Sequence, residues 1–282
     1  MKKRIMILIS LVVIMFLVSS CILNPFVVPK TVLIDDTHNN SKNFDGFGGT
    51  AFFAKLTSVL QAMGYTVSFT SSVGFFPENY GYFVVAAPVT SYSGADLTKV
   101  SSFLSKSNRK LILLGEWFTY YDNSNLNNIL SFLGSGITFN NEKIKDNSNN
   151  YNSINYWPTV TNFVTHPVTT GLSSIALIAT TSLSVSGNAF ALAYTSAVSY
   201  LTPPLLLSGT SAEGSSELLD KEDGIVISGP FVVVAAESIM SGKVVAVGDA
   251  TIFANDVYGS LASGEFLDIQ NNKQLFINMI NW

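Results

Sequence analysis

The sequence predicts an α/β domain over residues 31–282, with a mainly parallel central sheet, helices on both faces and a strand-rich C-terminal half. Three observations point there. Between residues 31 and 114, short apolar runs and helix-period segments follow one another as strand–helix–strand–strand–helix–strand, with connections long enough for parallel pairing. The runs at 82–87 and 110–114 lack the alternation of a half-exposed strand, so both sheet faces should be covered. Strand after strand also ends in a polar or glycine-bearing turn, as at Asp35-Asp36, Gly115-Glu116-Trp117 and Gly248-Asp249.

The first twenty residues read as an address. Lys2, Lys3 and Arg4 form a basic start, and residues 5–18 are an apolar stretch shorter than the ~20 residues a membrane span needs. Val18-Ser19-Ser20-Cys21 resembles the lipobox of a bacterial lipoprotein signal peptide. That resemblance implies cleavage before Cys21 and lipidation of its sulfur as a thioether; the alternative is an uncleaved anchor helix. Cys21 is the only cysteine in the chain, so it has no internal disulfide partner. Several acyl chains hold a bilayer more firmly than one myristoyl group, at ~0.8 kcal/mol per buried methylene. Residues 21–30, with Pro25 and Pro29, read as a tether. The expected location is the extracytoplasmic side of the cell envelope, at the outer membrane if the cell is Gram-negative, since Ile22 follows the cysteine.

Residues 32–34 form the first strand and run into Asp35, Asp36, His38 and Asn39. A glycine-rich turn at 44–49 leads to Thr50 as N-cap and a helix over 51–63, with Phe52, Phe53, Leu56, Val59, Leu60 and Met63 near helical spacing. Gly64 ends that helix. Strands follow at 65–69 and 82–87, the latter stopped by Pro88. Ser93-Gly94-Ala95-Asp96 opens a helix through Leu97, Val100, Phe103 and Leu104, and 110–114 is the fourth strand. Residues 126–133 read as a helix closed by Gly134, and 140–155, rich in Asn and Ser, as an exposed insertion. A turn-rich connector begins at His166-Pro167. Short strands are then expected at 191–194, 205–207, 225–227, 231–235 and 243–247, with a polar loop at 208–224. Residues 269–282 close the chain as an amphipathic helix with Leu275, Phe276, Met279 and Ile280 on one face.

Charged residues make up 12% of the chain, about half the usual share, so Ser, Thr, Asn and Gly must cover much of the surface. Residues 1–20 hold three of the 15 basic residues and none of the 19 acidic ones, leaving 12 against 19 and a charge of −7. There is no basic patch, which argues against nucleic acid as a partner.

In open parallel sheets, ligands gather at the carboxyl ends of the strands. The residues expected there are Asp35, Asp36, His38 and Asn39, then Pro88 and Thr90, then Glu116 and Trp117, then Asp249, Thr251, Asn255 and Asp256. Several carboxylates and one aromatic would suit a sugar or a peptide. Equally, Asp at a strand exit often bonds turn amides and holds nothing else. Asp35, Asp36, His38 and Asp249 have no recognisable metal-ligand spacing, and no cofactor is expected. His166 before proline reads as structural, and there is no Gly-x-Ser-x-Gly elbow. Gly46-Phe47-Gly48-Gly49 lacks both the dinucleotide fingerprint and the P-loop lysine, so it reads as a tight helix-entry turn.

Taken together, four stretches resemble the class I glutamine-amidotransferase-like superfamily: the first strand with Asp35, the strands closed by Pro88 and Gly115, the His166–Gly171 connector, and Gly248-Asp249 with the closing helix. The nearest branch comprises non-catalytic members, namely uncharacterised bacterial lipoproteins and gliding-motility and intraflagellar-transport type domains. The resemblance implies a flavodoxin-like architecture. It also implies that a catalytic cysteine would sit on the turn after a central strand, where this chain has Gly115-Glu116-Trp117. The expected function is therefore a lipid-anchored, non-catalytic binding or scaffolding domain for a glycan, peptide or partner protein. The alternatives are a carboxylate-dependent envelope glycan hydrolase and an accessory lipoprotein of an ABC transporter.

Overall fold

The computed structural model describes residues 28–38, 52–118, 121–202, 227–255 and 265–282. The first half runs β1 (Thr31–Ile34), α1 (Ala54–Ala62), β2 (Thr66–Phe69), α2 (Thr70–Val73), β3 (Tyr82–Ala86), α3 (Gly94–Leu104), β4 (Lys110–Leu114) and α4 (Ser124–Leu133). Every strand expected there forms. The Ser93 hydroxyl caps α3 by accepting from the Asp96 N–H at 3.2 Å, and the Asp96 carboxylate accepts back from the Ser93 N–H at 3.2 Å. α4 stops at Gly134, which takes the left-handed conformation that glycine adopts without steric cost.

The second half is built from short strands: β5 (Ile137–Phe139), β6 (Lys143–Lys145), β7 (Thr159–Val160), β8 (Asn162–Phe163), β9 (Ile175–Ala176), β10 (Leu183–Val185), β11 (Phe190–Tyr194), β12 (Tyr200–Thr202), β13 (Ile227–Ser228), β14 (Val232–Ile239) and β15 (Gly242–Val247). Helix α5 (Asn272–Asn281) closes it. Among the described residues, ten strands form one sheet whose main path is β2–β1–β3–β4–β15–β14–β10–β5.

The sheet is mixed, which corrects the mainly parallel expectation. β2, β1, β3, β4 and β15 are parallel to one another. β14 then pairs antiparallel with β15, β10 and β11, and β10 and β11 extend the antiparallel part to β5 and β8. The physical reason is connection length. A parallel return needs a crossover, which α1, α3 and their loops supply, whereas the Met240-Ser241 turn between β14 and β15 can only bring the chain back antiparallel.

The core lies on both faces of the parallel half. β3 and β4 are buried along their whole length, and Leu56 and Leu60 of α1, Val100 and Phe103 of α3, and Phe276 and Met279 of α5 are buried with them. Gly248 is fixed by packing, because a Cβ there would lie 2.2 Å from the Thr181 carbonyl.

The polar segment 140–155 is less open than its composition suggests: it carries β6, buried Ile144 and fully buried Asp146. The Asp146 carboxylate accepts from the N–H groups of Ser148 at 2.9 Å and Asn149 at 2.7 Å, and from the Ser196 hydroxyl at 2.5 Å. Its polar side chains therefore bond partly to the protein. Cys21, Asn39, the 44–49 turn, Thr50, the 205–207 run, the 208–224 loop and Asp256 lie outside the described residues.

Candidate functional site

Asp35, Pro88, Glu116 and Asp249 each lie one or two residues beyond the end of a parallel strand, so the topology brings them to one edge of the sheet. They do not line one open cleft. Asp35, Glu116 and Asp249 are 2%, 3% and 0% exposed, and they form two separate buried knots. Two strand spacings separate β1 from β4, which puts the knots roughly 10 Å apart.

In the first knot, Asp35 is the hub. Its Oδ2 faces His38 Nδ1 at 2.8 Å and accepts from the Tyr92 hydroxyl. Its Oδ1 is 2.9 Å from the Thr70 hydroxyl and accepts from the Thr37 hydroxyl at 3.0 Å and the Thr37 N–H at 3.2 Å. Burial alone would push this carboxyl up. The hydrogen bond and charge of His38, with the hydroxyls of Tyr92 and Thr70, outweigh that and hold it below the usual range. The Tyr92 phenol is pushed up by its own burial and by Asp35. The His38 ring stacks on Tyr92 at 3.8 Å and meets Phe75 edge-on at 5.3 Å. Its Nε2 lies 3.9 Å from Asp96.

The backbone completes this knot. The His38 carbonyl accepts from the Val89 and Thr90 N–H groups at 2.9 and 3.0 Å, so Thr90 serves here through its backbone. Asp36 accepts from the Ser71 N–H at 2.7 Å and the Ser71 hydroxyl at 2.6 Å, tying the β1 exit to α2.

The second knot is the carboxyl pair Glu116 and Asp249. One Glu116 oxygen accepts from the Trp117 N–H at 2.9 Å and the other from the Thr251 hydroxyl at 2.9 Å. Asp249 accepts from the Thr251 N–H at 2.8 Å, from the Ile178 N–H and from the Ile252 N–H. Burial pushes both carboxyls well up, and the neighbouring Asp249 charge raises Glu116 further. Three backbone N–H groups reach Asp249 and one reaches Glu116, so hydrogen bonding favours Asp249 as the ionised member of the pair.

Between the knots the end of β3 is sealed. The Pro88 carbonyl accepts from the Tyr121 hydroxyl and from Asn125 Nδ2, the latter at 2.8 Å. Trp117 is buried, with the Lys143 ammonium 5.2 Å from its ring centroid. Asn255 sits apart from both knots and holds the start of α1, accepting from the Lys55 N–H at 2.9 Å. Among the described residues, no group of three or more His, Cys, Asp or Glu side chains could hold a metal ion.

Sequence reading missed Thr70 and Tyr92, although both complete the first knot. Thr70 directly follows β2, so its place at the carboxyl edge was available as a signal. Tyr92 lies in the loop before α3, where nothing local marks it.

No family model and no curated protein sequence matches the chain. Among solved structures, the mmIFT52 N-terminal domain matches with a TM-score of 0.61 and 16% identity, over 89% of this chain and 96% of that one. A cytoplasmic protein from Salmonella typhimurium matches at 0.50 and 9% identity, over 89% of this chain and 97% of that one. A protein described as ThuA-like, from Bacteroides uniformis, matches at 0.47 and 16% identity, over 93% and 94%. At such identities the likeness is one of fold. The chain shares the α/β fold of the IFT52 N-terminal domain.

Proposed function

We propose that this protein is a lipid-anchored cell-envelope protein whose amidotransferase-like domain binds a glycan, peptide or partner protein without transforming it. The turn after β4 carries the reading. Where an amidotransferase would present a thiolate, this chain has Glu116, 3% exposed and engaged at both oxygens by its own protein. A carboxyl held in that way is not presented to a substrate carbonyl. The hydrolase alternative needs carboxylates that touch a sugar, and the burial of Asp35, Glu116 and Asp249 favours binding over it. The anchoring part rests on Val18-Ser19-Ser20-Cys21 and the basic and apolar segments before it.

Two measurements test the proposal. The protein should release no ammonia from glutamine above a blank, and Glu116→Gln should leave that result unchanged; release that depends on Glu116 would end the non-catalytic reading. Cys21→Ser should move the protein out of the membrane fraction, and retention there with no lipid label would remove the anchor.

A further inference from the structure

We infer that Tyr156, with the carboxamides that precede it, forms a binding platform for a neutral glycan; the inference rests on the binding reading above and names its ligand class. Tyr156 is 41% exposed, yet its ring is fixed from behind. It meets Trp117 edge-on at 5.7 Å and Trp157 edge-on at 6.3 Å, and both tryptophans are buried. A single left-handed residue, Ala179 at φ 62°, ties the two ring-bearing segments together. Its N–H donates to the Tyr156 carbonyl at 3.0 Å, and its carbonyl accepts from the Trp117 N–H at 3.1 Å. The aromatic surface is therefore in place before a ligand arrives, and little side-chain entropy remains to be lost on binding.

The polar half of the platform comes from residues just upstream in the sequence. Asn155 Nδ2 donates to Asn147 Oδ1 at 3.2 Å, and the Tyr200 hydroxyl donates to the same oxygen at 3.2 Å. That arrangement leaves the Asn147 amide hydrogens as donors and Asn155 Oδ1 as an acceptor. A pyranose has the matching chemistry: a C–H face that packs on the electron-rich face of an aromatic ring, and neighbouring hydroxyls that both donate and accept. The carboxamides carry no charge and the Lys143 ammonium lies against the buried Trp117 ring, so the platform's own polar groups suit a neutral ligand. Trp117 follows Glu116 at the end of β4, so the platform borders the edge where α/β sheets collect ligands.

The test titrates the full chain with chitohexaose, cellohexaose and maltohexaose, read by tryptophan fluorescence and calorimetry. At least one should bind. Tyr156→Ala should weaken that binding by about tenfold or more, while Tyr156→Phe, which keeps the ring, should stay within about twofold. Asn147→Ala leaves the aromatic cluster intact and should also weaken binding, which keeps the test decisive if Tyr156→Ala folds poorly. Failure of all three sugars to bind at millimolar concentration, or undiminished binding by both alanine variants, would overturn the platform and leave the non-catalytic reading to the ammonia assay. New reducing ends would overturn that reading, while Tyr156-dependent binding would still support the platform.

Discussion

Glu116→Gln and Asp249→Asn each remove one carboxyl from the same buried pair, and they should behave differently. Glutamine reproduces a protonated Glu116: its amide oxygen can accept from the Trp117 N–H at 2.9 Å, and its NH2 can donate to Thr251 Oγ at 2.9 Å. The change should be nearly neutral at about pH 4, within about 0.5 kcal/mol, and stabilising at pH 7, where only the wild-type unfolded chain has released this proton. Asparagine at 249 has no such fit. Asp249 accepts backbone N–H groups on both oxygens, so an amide in either orientation turns its NH2 against a donor. A lost charge-assisted bond and an unpaired buried N–H together cost about 3 kcal/mol, or about 6–12 °C of melting temperature for a domain this large.

The pH dependence gives an independent sign. The folded Glu116 carboxyl holds its proton more tightly than the unfolded chain does, because burial and Asp249 raise it. Above the ordinary glutamate range the folded state thus binds more protons, and this group's contribution to stability falls as pH rises towards neutral. Glu116→Gln should remove that slope. Thermal melts of both variants between about pH 5 and pH 8 would check this. Equal losses of stability, or an unchanged slope in Glu116→Gln, would refute the assignment of the proton to Glu116.

Two further predictions concern groups with the opposite linkage. Asp35 is held below the usual carboxylate range, so its stabilisation is present above the unfolded value and lost as pH falls through the folded one. Asp35→Asn should cost about 2–4 kcal/mol at pH 7 and flatten the acid limb of an unfolding titration followed by near-UV circular dichroism; an unchanged acid limb would count against Asp35 as the hub. Lys110 is pushed down to about 8 by burial, with Lys243 adding to the effect, while its ammonium reaches the Ile280 carbonyl at 2.6 Å. The unfolded chain keeps that proton to about pH 10.4, so this group's contribution should rise with pH between those values. Lys110→Met should abolish the rise, as read by denaturant midpoints at pH 7.5, 8.5 and 9.5; persistence of the rise would assign it elsewhere.

Much of the first half was legible because its signals are local. The strand at 110–114 and its buried character follow from a run of apolar residues, and α4 stops where Gly134 permits a left-handed turn. Ser93 and Asp96 announce α3 through a reciprocal cap that needs only four residues of sequence. The second half was less legible. β5, β8 and β10 are two or three residues long, too short for periodicity to declare; β10 exists because the antiparallel β14 offers it a partner, and β5 and β8 because β10 and β11 do. Asp35, Glu116 and Asp249 do lie at one edge of the sheet, but buried in two knots and not along one cleft. Strand ends fix where a side chain emerges and leave open what covers it.

By itself, the sequence determined the elements of the first half and their polar strand exits, Glu116 after β4 among them, because each follows from neighbouring residues. Only the tertiary structure decided that Thr70 and Tyr92, 35 and 57 residues away, close around Asp35, and that Thr251 joins Glu116 to Asp249. Those partnerships depend on which strands become neighbours. That order is set by burying the whole apolar surface at once, and no local propensity encodes it.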